Sequence, residues 1–412
     1  MTDAPDDLVR IATRCFETGP CEGLGLAVSG GGDSMALLHM LAPEARARGI
    51  AVRVATVDHR LRPEARAEAE RVARACAGLE VPHEILDWTG WEGRGNLQDA
   101  ARRARRSLLA DWARRHGLGA VALGHTLDDQ AETVLMRLAR GSGVDGLAGM
   151  VAARQDDGVM WLRPLLELRR DDLRLWLTAR GIAWDEDPSN ADPRYQRVRA
   201  RDALAALGPV GITPEGLADT ADRMAMARAA LEHLAMDLST RAVRLRAGAV
   251  EIDAAMLRDA PEETRLRLVS AALRWVGGRD YRPRLNSLRA TLDFAGQGQW
   301  RSLSGVLLAQ KAGRLWLCRE PGRVEAHVMA KAAWDGRWRI DGADDSAMIG
   351  ALGQAGLALC PKWRDLGVPR PALLSSPALW RNGTLLAAPC VMPDAAYQAR
   401  IVADFPYRTL PH

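Results

Sequence analysis

The first half of the sequence predicts an α/β domain in which helices cover both faces of a parallel β-sheet. Strand-like and helix-like segments alternate along it, which is the arrangement of βαβ units. The strand-like segments are short, continuous apolar runs, as expected for buried strands. In such sheets ligands bind at the carboxyl ends of the strands, so we expect the functional site at that edge.

Predicted strands and helices follow one another in strict alternation in this part of the chain. The strands cover residues 24–28, 51–57, 83–88 and 120–123. The helices cover residues 35–41, 63–79, 96–116 and 126–140. Three loops at strand ends, residues 29–34, 58–59 and 124–129, are therefore expected to converge.

The second half predicts a different organisation, and the change comes near Gly208, where glycine and proline cluster. The predicted elements beyond it are helices over residues 214–240 and 261–276, strands over 306–308 and 315–318, a linker over 319–328 and a terminal apolar run at 385–388. The proline-rich last segment predicts a small, largely β module. We expect three domains: an α/β domain over residues 1–208, a helical or mixed domain over 209–320 and a small C-terminal domain over 321–412.

Charge and cysteine content limit the ligands and the kinds of metal or disulfide site that the sequence predicts. The formal net charge is only +4, although 56 residues are lysine or arginine. Lysine occurs only at Lys311, Lys331 and Lys362, and arginine suits bidentate phosphate contacts, although a GC-rich genome gives the same bias. The six cysteines form no C-x-x-C pair, which predicts neither a zinc site nor a disulfide framework. The acidic N-terminus, without any apolar run of about 18 residues, predicts a cytoplasmic protein with no membrane span.

A glycine-rich loop follows the first predicted strand. Its residues are Ser29, Gly30, Gly31, Gly32, Asp33 and Ser34. Such a loop before a helix presents backbone N–H groups at the positive helix end, and glycine lets a phosphate approach closely. The hydroxyls add donors, and Asp33 adds a carboxylate that can hold Mg²⁺. Because the stretch lacks both the Lys-Ser/Thr of the common P-loop and the G-x-G-x-x-G spacing, we predict a different kind of phosphate site, with an ordinary Gly/Ser turn as the alternative.

Carboxylates cluster in a second polar segment, residues 124–133, which begins with Gly124 and His125. On a helix, Glu132 shares a face with either Asp128 or Asp129. Carboxylates at the end of a strand can bind an ammonium or Mg²⁺, or accept a proton. Alternatively, Thr126 caps the helix and the aspartates complement its dipole. The two interpretations are compatible, because a capped helix start also fixes a site.

Together these two segments resemble the tRNA(Ile)-lysidine synthetase family of the PP-loop ATP pyrophosphatase superfamily. Further resemblances are the segments at residues 57–63 (VDHRLRP), 101–105 (ARRAR), 140–147 (RGSGVDGL) and 163–166 (RPLL), and Asp187, Ser189 and Asn190 with Arg197 and Arg201. The match is dense over residues 20–205 and loose beyond them. The chain departs from the family at Val198, where asparagine is common, and at Arg106, where tyrosine is common.

The resemblance implies an adenine nucleotide α-hydrolase-like fold and an ATP-dependent ligase. Such an enzyme joins free L-lysine to C2 of the wobble cytidine of tRNA(Ile) with a CAU anticodon. The cytidine C2 oxygen attacks the α-phosphate of ATP and releases pyrophosphate. The lysine amine then attacks C2 and expels AMP, which gives lysidine and changes the specificity of the tRNA from methionine to isoleucine.

The resemblance also implies roles for residues and domains. The glycine loop holds pyrophosphate with Asp33 on Mg²⁺, Asp129 and Glu132 hold the lysine ammonium, and Arg197 stabilises the adenylate. Further ATP contacts are expected at Asp58, His59, Arg102, Gly124 and His125. Residues 1–208 become the catalytic PP-loop domain and residues 209–320 a tRNA-binding domain. A homodimer is compatible with the sequence, which leaves the oligomeric state open.

Three other functions are alternatives to this one. A tRNA thiolase of the superfamily commonly needs a cysteine pair or an iron–sulfur cluster, whereas Cys76 is the only cysteine between the two segments. An amidotransferase-type ligase needs a glutaminase, for which the sequence shows no nucleophile motif. A non-enzymatic RNA-binding protein needs neither a phosphate loop nor the carboxylates, and cleavage of ATP to AMP and pyrophosphate in the presence of tRNA excludes it.

Overall fold

The chain divides into two compact units, Met1–Arg228 and Ala229–His412. The computed structural model describes residues 4–18, 23–60, 64–89, 91, 97–156, 158–186, 192–278 and 283–407. The division into three domains stays a prediction.

The first unit alternates strands and helices as the sequence predicts. Its strands are β1 (Gly23–Ala27), β2 (Ala51–Asp58), β3 (His83–Asp87), β4 (Ala120–Leu123), β5 (Ala153–Asp156) and β6 (Val159–Leu162). Its helices are α1 (Ala4–Thr13), α2 (Gly32–Ala47), α3 (Glu64–Gly78), α4 (Leu97–Arg115), α5 (Leu127–Leu138), α6 (Val144–Leu147), α7 (Arg170–Ala179) and α8 (Gln196–Leu207). Helix α9 (Pro214–Ala242) begins in this unit and ends in the second.

The sheet of the first unit has the strand order β3-β2-β1-β4-β6-β5 among the described residues. Neighbouring strands are parallel from β3 to β6, which confirms the predicted parallel sheet. The edge strand β5 is antiparallel to β6, and the sequence analysis did not predict this hairpin. The reason is that β5 is mostly exposed and carries no apolar pattern. Because the chain reverses its direction of progress between β1 and β4, their carboxyl ends form a topological switch point, where ligands bind in such folds.

Apolar layers cover both faces of this sheet. One includes Leu24 and Leu26 of β1 together with side chains of α2 and α7. The other contains Trp112 of α4, which is 1% exposed. Trp112 explains Gly25, because a Cβ there would lie 2.6 Å from the indole ring. The central strand is thus buried on both sides, and it presents its carboxyl end to the site.

The second unit is a helical region with an antiparallel sheet, followed by smaller antiparallel sheets. Its helices after α9 are α10 (Ala254–Asp259), α11 (Glu262–Gly277), α12 (Leu285–Gly296), α13 (Gly353–Ala358) and α14 (Arg370–Leu374). Its strands are β7 (Val243–Arg246), β8 (Ala249–Asp253), β9 (Arg301–Leu303), β10 (Val306–Lys311), β11 (Arg314–Arg319), β12 (Val328–Met329), β13 (Trp338–Asp341), β14 (Met348–Ala351), β15 (Pro377–Arg381), β16 (Thr384–Ala387) and β17 (Gln398–Ile401). Among the described residues the sheet orders are β7-β8-β11-β10-β9, β12-β14-β15-β16 and β13-β17.

These elements confirm the predicted fold class. Most predicted ends of helices and strands lie within a few residues of the observed ends. The helix predicted over residues 35–41 is longer, because it begins inside the glycine loop at Gly32 and ends at Ala47. The segment predicted as a linker contains a short 3₁₀ turn, Pro321–Arg323, before β12. No helix in the described residues is both long and apolar enough to cross a membrane.

Candidate active site

The glycine loop connects β1 directly to the N-terminus of α2. The N-cap residue Gly31 supplies no side-chain cap to the helix. The Ser34 hydroxyl donates to the Gly31 carbonyl oxygen (2.9 Å) and accepts from the Ser29 N–H (3.1 Å). The hydroxyl expected to face a phosphate therefore braces the loop itself. The end of α2, with its positive dipole, stays available to an anion.

A segment after α7 clamps the other side of the loop. The Asp185 N–H donates to the Gly30 carbonyl oxygen (2.9 Å), and Arg71 of α3 pairs with the Asp185 carboxylate at 2.7 Å. Gly30 has a φ of +93°, which a residue with a side chain rarely adopts. The loop conformation is therefore fixed by its neighbours as well as by its own sequence.

The loop after β4 lies against the glycine loop. A Cβ on Gly124 would come within 3.2 Å of the Asp33 backbone and of the Ser34 Cα. The structure thus brings residues 29–34 and 124–129 together, as predicted. Asp58 ends the neighbouring strand β2, and the His59 ring packs edge-on against Trp88, with 5.6 Å between centroids. The third predicted loop therefore lies at the same edge of the sheet.

A capping box holds the start of α5. The Asp129 N–H donates to Thr126 Oγ1 (3.3 Å), and the Thr126 N–H donates to Asp129 Oδ2 (2.9 Å). The predicted alternative role in capping is thus present. It occupies one carboxylate oxygen of Asp129, while Oδ1 faces cations.

Arg170, the first residue of α7, joins three carboxylates. Its Nε lies 3.0 Å from Asp33 Oδ2, its Nη2 lies 3.1 Å from Asp129 Oδ1 and its Nη1 lies 3.4 Å from Glu132 Oε1. The Glu132 side chain is 1% exposed. One guanidinium therefore links the glycine loop to the acidic face of α5.

Asp128 also contacts α7, but through the backbone of Arg170 and the side chain of Arg169. Its Oδ2 accepts the Arg170 backbone N–H at 2.7 Å, and its Oδ1 lies 3.3 Å from Arg169 Nε. A carboxylate at a helix N-terminus stabilises the helix dipole. Asp128 therefore caps α7 from outside that helix, which separates its role from those of Asp129 and Glu132.

The pKa values at this cluster follow from burial and from Arg170. Burial raises the pKa of Asp33, against an opposing effect of Arg170. Burial also acts to raise the pKa of Asp129, but Arg170 and Arg197 outweigh it and the pKa is lowered. Burial acts to lower the pKa of Arg170, and Asp129 and Asp33 reverse this and raise it. Arg170 and Asp129 are thus held as an ion pair at neutral pH.

Two further arginines approach the cluster from α8. Arg201 Nε lies 3.1 Å from Glu132 Oε1, and Arg197 Nη1 lies 4.0 Å from Asp129 Oδ1. Glu132 Oε2 is buried and accepts no hydrogen bond from the described residues. A buried carboxylate oxygen without a donor is costly, so this atom fits a cationic ligand.

A second group of cations surrounds His125. Burial lowers the pKa of His125 to about 3, with Arg163 adding to the effect and Asp129 opposing it. Burial also lowers the pKa of Arg105 and of Arg163, and the nearby charge of Arg102 lowers both further. His125 is therefore neutral at pH 7, among arginines that favour an anionic ligand such as a phosphate.

The chain is similar to several known proteins. A family model described as a PP-loop domain matches residues 8–207. A tRNA(Ile)-lysidine synthase of Ruegeria pomeroyi is 47% identical over 94% of this chain and 93% of its own length. The chain belongs to the tRNA(Ile)-lysidine synthase family. A relative of the same name from Methylobacterium nodulans is 42% identical over 77% of this chain and 96% of its own. A U34-tRNA thiolase of Methanococcus maripaludis superposes on 54% of this chain and 79% of its own with a TM-score of 0.46 and 16% identity. Membership of the family confirms the predicted enzyme class, an ATP-using ligase.

Both departures from the synthase family's sequence pattern have a place in the structure. Val198 is buried on α8, the helix from which Arg197 and Arg201 reach Asp129 and Glu132. Arg106 pairs with Asp156 of β5 and lies over the Trp161 ring, 5.4 Å from its centroid. Each substitution is thus accommodated by local packing.

Some family motifs lie outside the described residues. These are Asp187, Ser189 and Asn190, and the end of the VDHRLRP segment at residues 61–63. Their predicted roles stay predictions.

Arg170 is the main site residue that sequence reasoning missed. Arg169 and Arg170 are the N-cap and first residues of α7, where the helix dipole disfavours cations. Two arginines at such a position signal a nearby acidic partner. Trp88 was also missed, since it lies at the end of a predicted strand and reads as an apolar strand residue.

The alternative function as a thiolase finds no support at Cys76. Cys76 is fully buried in the apolar layer of the first unit. Burial raises the pKa of its thiol to about 12. Since the thiolate is the reactive form of cysteine, Cys76 is poorly suited to carry sulfur.

Proposed function

We propose that this protein ligates free L-lysine to C2 of the wobble cytidine of tRNA(Ile) with a CAU anticodon, through an adenylated cytidine. The product is lysidine, which changes the specificity of the tRNA from methionine to isoleucine. The observation that carries the proposal is the pairing of a glycine loop with a buried acidic face through Arg170. A relative named tRNA(Ile)-lysidine synthase, which matches 94% of the chain, supports it.

The glycine loop is proposed to hold the pyrophosphate of ATP. Ser29, Gly30, Gly31, Gly32, Asp33 and Ser34 form this loop at the N-terminus of α2. Phosphoryl transfer depends on fixed donors placed where charge develops, and backbone N–H groups at a helix start supply them. The remaining proposed nucleotide contacts, at the same edge of the sheet, are Asp58, His59, Arg102, Gly124 and His125.

In the first step the C2 oxygen of cytidine bonds to the α-phosphorus as the bond to pyrophosphate breaks. Negative charge grows on the departing pyrophosphate and on the α-phosphate oxygens. Arg197 is proposed to stabilise the adenylate, since it lies near Asp129 without a hydrogen bond to it, at 4.0 Å. Neutral His125 can donate or accept a hydrogen bond there without adding charge.

In the second step the amine of lysine bonds to C2, a proton leaves the nitrogen and AMP departs with the former C2 oxygen. Asp129 and Glu132 are proposed to hold the lysine ammonium, because their oxygens converge and Glu132 Oε2 has no donor among the described residues. Either carboxylate can accept the proton. Burial acts to raise the pKa of Asp129, but Arg170 lowers it, so this carboxylate is ionised before lysine arrives.

Asp33 is proposed to hold Mg²⁺. This ion usually takes one or two carboxylates together with phosphate oxygens and waters. Asp33 lies in the first turn of α2, next to the glycine loop. When bound, Mg²⁺ neutralises charge on the phosphates of ATP.

The location of the proposed substrates indicates where the protein acts. Because tRNA, ATP and free lysine meet in the cytoplasm, we propose that the protein acts there. The domain roles proposed are catalysis by residues 1–208, tRNA binding by residues 209–320 and a C-terminal domain over residues 321–412. A homodimer stays a prediction.

Incorporation of labelled lysine into tRNA(Ile) transcripts, with and without ATP, tests the proposal. We expect ATP-dependent labelling with one AMP and one pyrophosphate per lysine. A transcript with uridine at the wobble position serves as the matched control and stays unlabelled. ATP cleavage without lysine transfer would point to a thiolase, and tRNA binding without ATP cleavage to an RNA-binding protein.

A further inference from the structure

A cavity of about 450 Å³ lies on one face of the sheet β7-β8-β11-β10-β9, within the second unit. Its lining is basic and aromatic around a single carboxylate. The side chains that matter are Arg246, Glu251, Trp300, Lys311, Arg314, Trp316 and Arg370. The proposed reaction uses none of them.

Strand register explains why these side chains share a face. Glu251 of β8 lies opposite Trp316 of β11, and Lys311 of β10 lies opposite Arg314. Residues opposite each other in paired strands project to the same side of a sheet. The other side, with Val250 among its residues, packs in the apolar core of the unit. The polar residues are therefore held on a rigid surface.

Glu251 is the unusual member of this surface. It is 6% exposed. Its Oε1 lies 3.5 Å from Arg314 Nε, and its Oε2 lies 3.8 Å from Arg246 Nη1. Oε2 accepts no hydrogen bond within the described part of the chain. The arginines balance the charge, but one buried acceptor still lacks a donor, which is costly.

The remaining lining restricts the chemistry of a ligand. Lys311 and Arg370 are exposed and add positive charge, which suits phosphates. Trp300 is half-buried and offers an indole face or edge to a planar ring. A ligand that is anionic throughout, such as inorganic phosphate or an acidic peptide, would bring no donor to Glu251.

We propose that this cavity binds one unpaired RNA nucleotide whose base carries an exocyclic amine. The amine donates to Glu251, as cytosine N4 does to carboxylates in nucleic-acid complexes. The ring packs on Trp300, and the flanking phosphates meet Lys311 and Arg370. That the RNA is a tRNA rests on the proposed function, whereas the choice of base does not.

Binding of labelled oligo(C) and oligo(U) hexamers to the full chain without ATP tests this site. A hydrogen bond to a charged group corresponds to about tenfold or more in affinity, so oligo(C) should bind at least about tenfold tighter. Glu251→Gln keeps the side-chain shape but can also donate to uracil O4, so the preference should fall to about onefold. The matched control is Lys331→Ala, since Lys331 pairs with Asp345 on another part of the unit.

Two more variants guard against misfolding of the Glu251 variant. Lys311→Ala changes an exposed side chain and should weaken both oligomers equally while reducing the salt dependence of binding. Trp300→Leu should weaken both by about fivefold or more, through lost stacking. An unchanged C-to-U ratio in Glu251→Gln overturns the proposal. Losses in Lys311→Ala without any base preference in the wild type also overturn it and indicate a plain polyanion site.

Lysine transfer separates this inference from the proposed function. Glu251→Gln should raise the KM for full-length tRNA with kcat unchanged, and leave transfer to an isolated anticodon stem-loop unaltered. If the wild type transfers no lysine, the proposed function fails while the oligomer preference can still stand. If transfer is normal and the oligomer preference is absent, only the nucleotide site fails.

Discussion

Replacing Arg170 by alanine removes the cation shared by Asp33, Asp129 and Glu132. The Arg170 side chain is 16% exposed, and that of Glu132 is 1% exposed. Removing one partner of a buried ion pair costs about 3–5 kcal/mol. Arg201 remains 3.1 Å from Glu132, which places the expected loss near the lower end, at about 3 kcal/mol. For a domain of this size that corresponds to a Tm lower by about 6–12 °C.

The loss of stability in Arg170→Ala should depend on pH, and the ionisation of the carboxylates determines the direction of that dependence. In the wild type, the lowered pKa of Asp129 contributes stability that is present above its unfolded pKa and is lost as the pH falls through the folded value. In the variant, burial without Arg170 raises the pKa values of Asp33 and Asp129, so the cost of their ionisation grows as the pH rises. The difference in Tm between wild type and variant should therefore be larger at pH 8 than at pH 5.

Thermal unfolding at both pH values, with a double-mutant cycle, provides the assay. Arg170→Ala combined with Glu132→Gln should recover about 1 kcal/mol or more relative to additivity, because the amide no longer needs a cation. Arg174→Ala is the matched control on the same helix, since its pair with Glu186 is exposed and worth at most about 1 kcal/mol. A loss in Arg170→Ala that is independent of pH and additive with Glu132→Gln would show that Arg170 acts by packing alone.

Three further predictions concern the same site. Glu132→Gln should raise the KM for lysine about ten- to a hundredfold with little change for ATP. Asp128→Asn, which weakens the cap of α7 and the ion pair with Arg169, should lower the Tm and leave the KM for lysine unchanged. Equal effects of the two variants on the KM for lysine would contradict the assignment. Gly124→Ala should push its Cβ against the backbone of the glycine loop and slow pyrophosphate release. The control Gly208→Ala, at a helical glycine in open space, should leave the rate unchanged. Equal rates in the two variants would show that close packing at Gly124 does not position the glycine loop. NMR should show that the His125 ring stays neutral from pH 8 to about pH 4. The stability that the neutral ring contributes is therefore present above about pH 6.5 and is lost as the pH falls towards 3. Titration of the ring near pH 6.5 would contradict its burial.

The fold of the first unit could be predicted because its central strands are buried and continuous in apolar residues. β4 has the predicted bounds, Ala120–Leu123, and β1 is shifted by one residue. The exposed edge strand β5 carries no apolar run, so no pattern could indicate it. Periodicity reports burial, and it is silent where a strand is held by backbone pairing alone.

The site shows the same division between local and long-range information. The glycine loop and the carboxylates of α5 were visible because each is a short motif with its own chemistry. Arg170 was not visible, because its partners lie 137, 41 and 38 residues away along the chain. The dual use of Asp129 was anticipated as a compatibility of two roles, and the structure gives each role its own oxygen atom.

The missed residue explains how an acidic site can exist inside this domain at all. Three carboxylates placed within reach of one another and largely buried would take up protons, and a protonated pair could not hold a lysine ammonium. Arg170 supplies the cation that keeps Asp129 ionised, and its fork reaches the glycine loop at Asp33 as well. The charge state prepared for lysine and the position of the phosphate loop therefore depend on the same side chain. Replacing Arg170 should consequently disturb both lysine binding and ATP use, whereas Glu132→Gln leaves the ion pair of Arg170 with Asp33 in place and should affect mainly lysine.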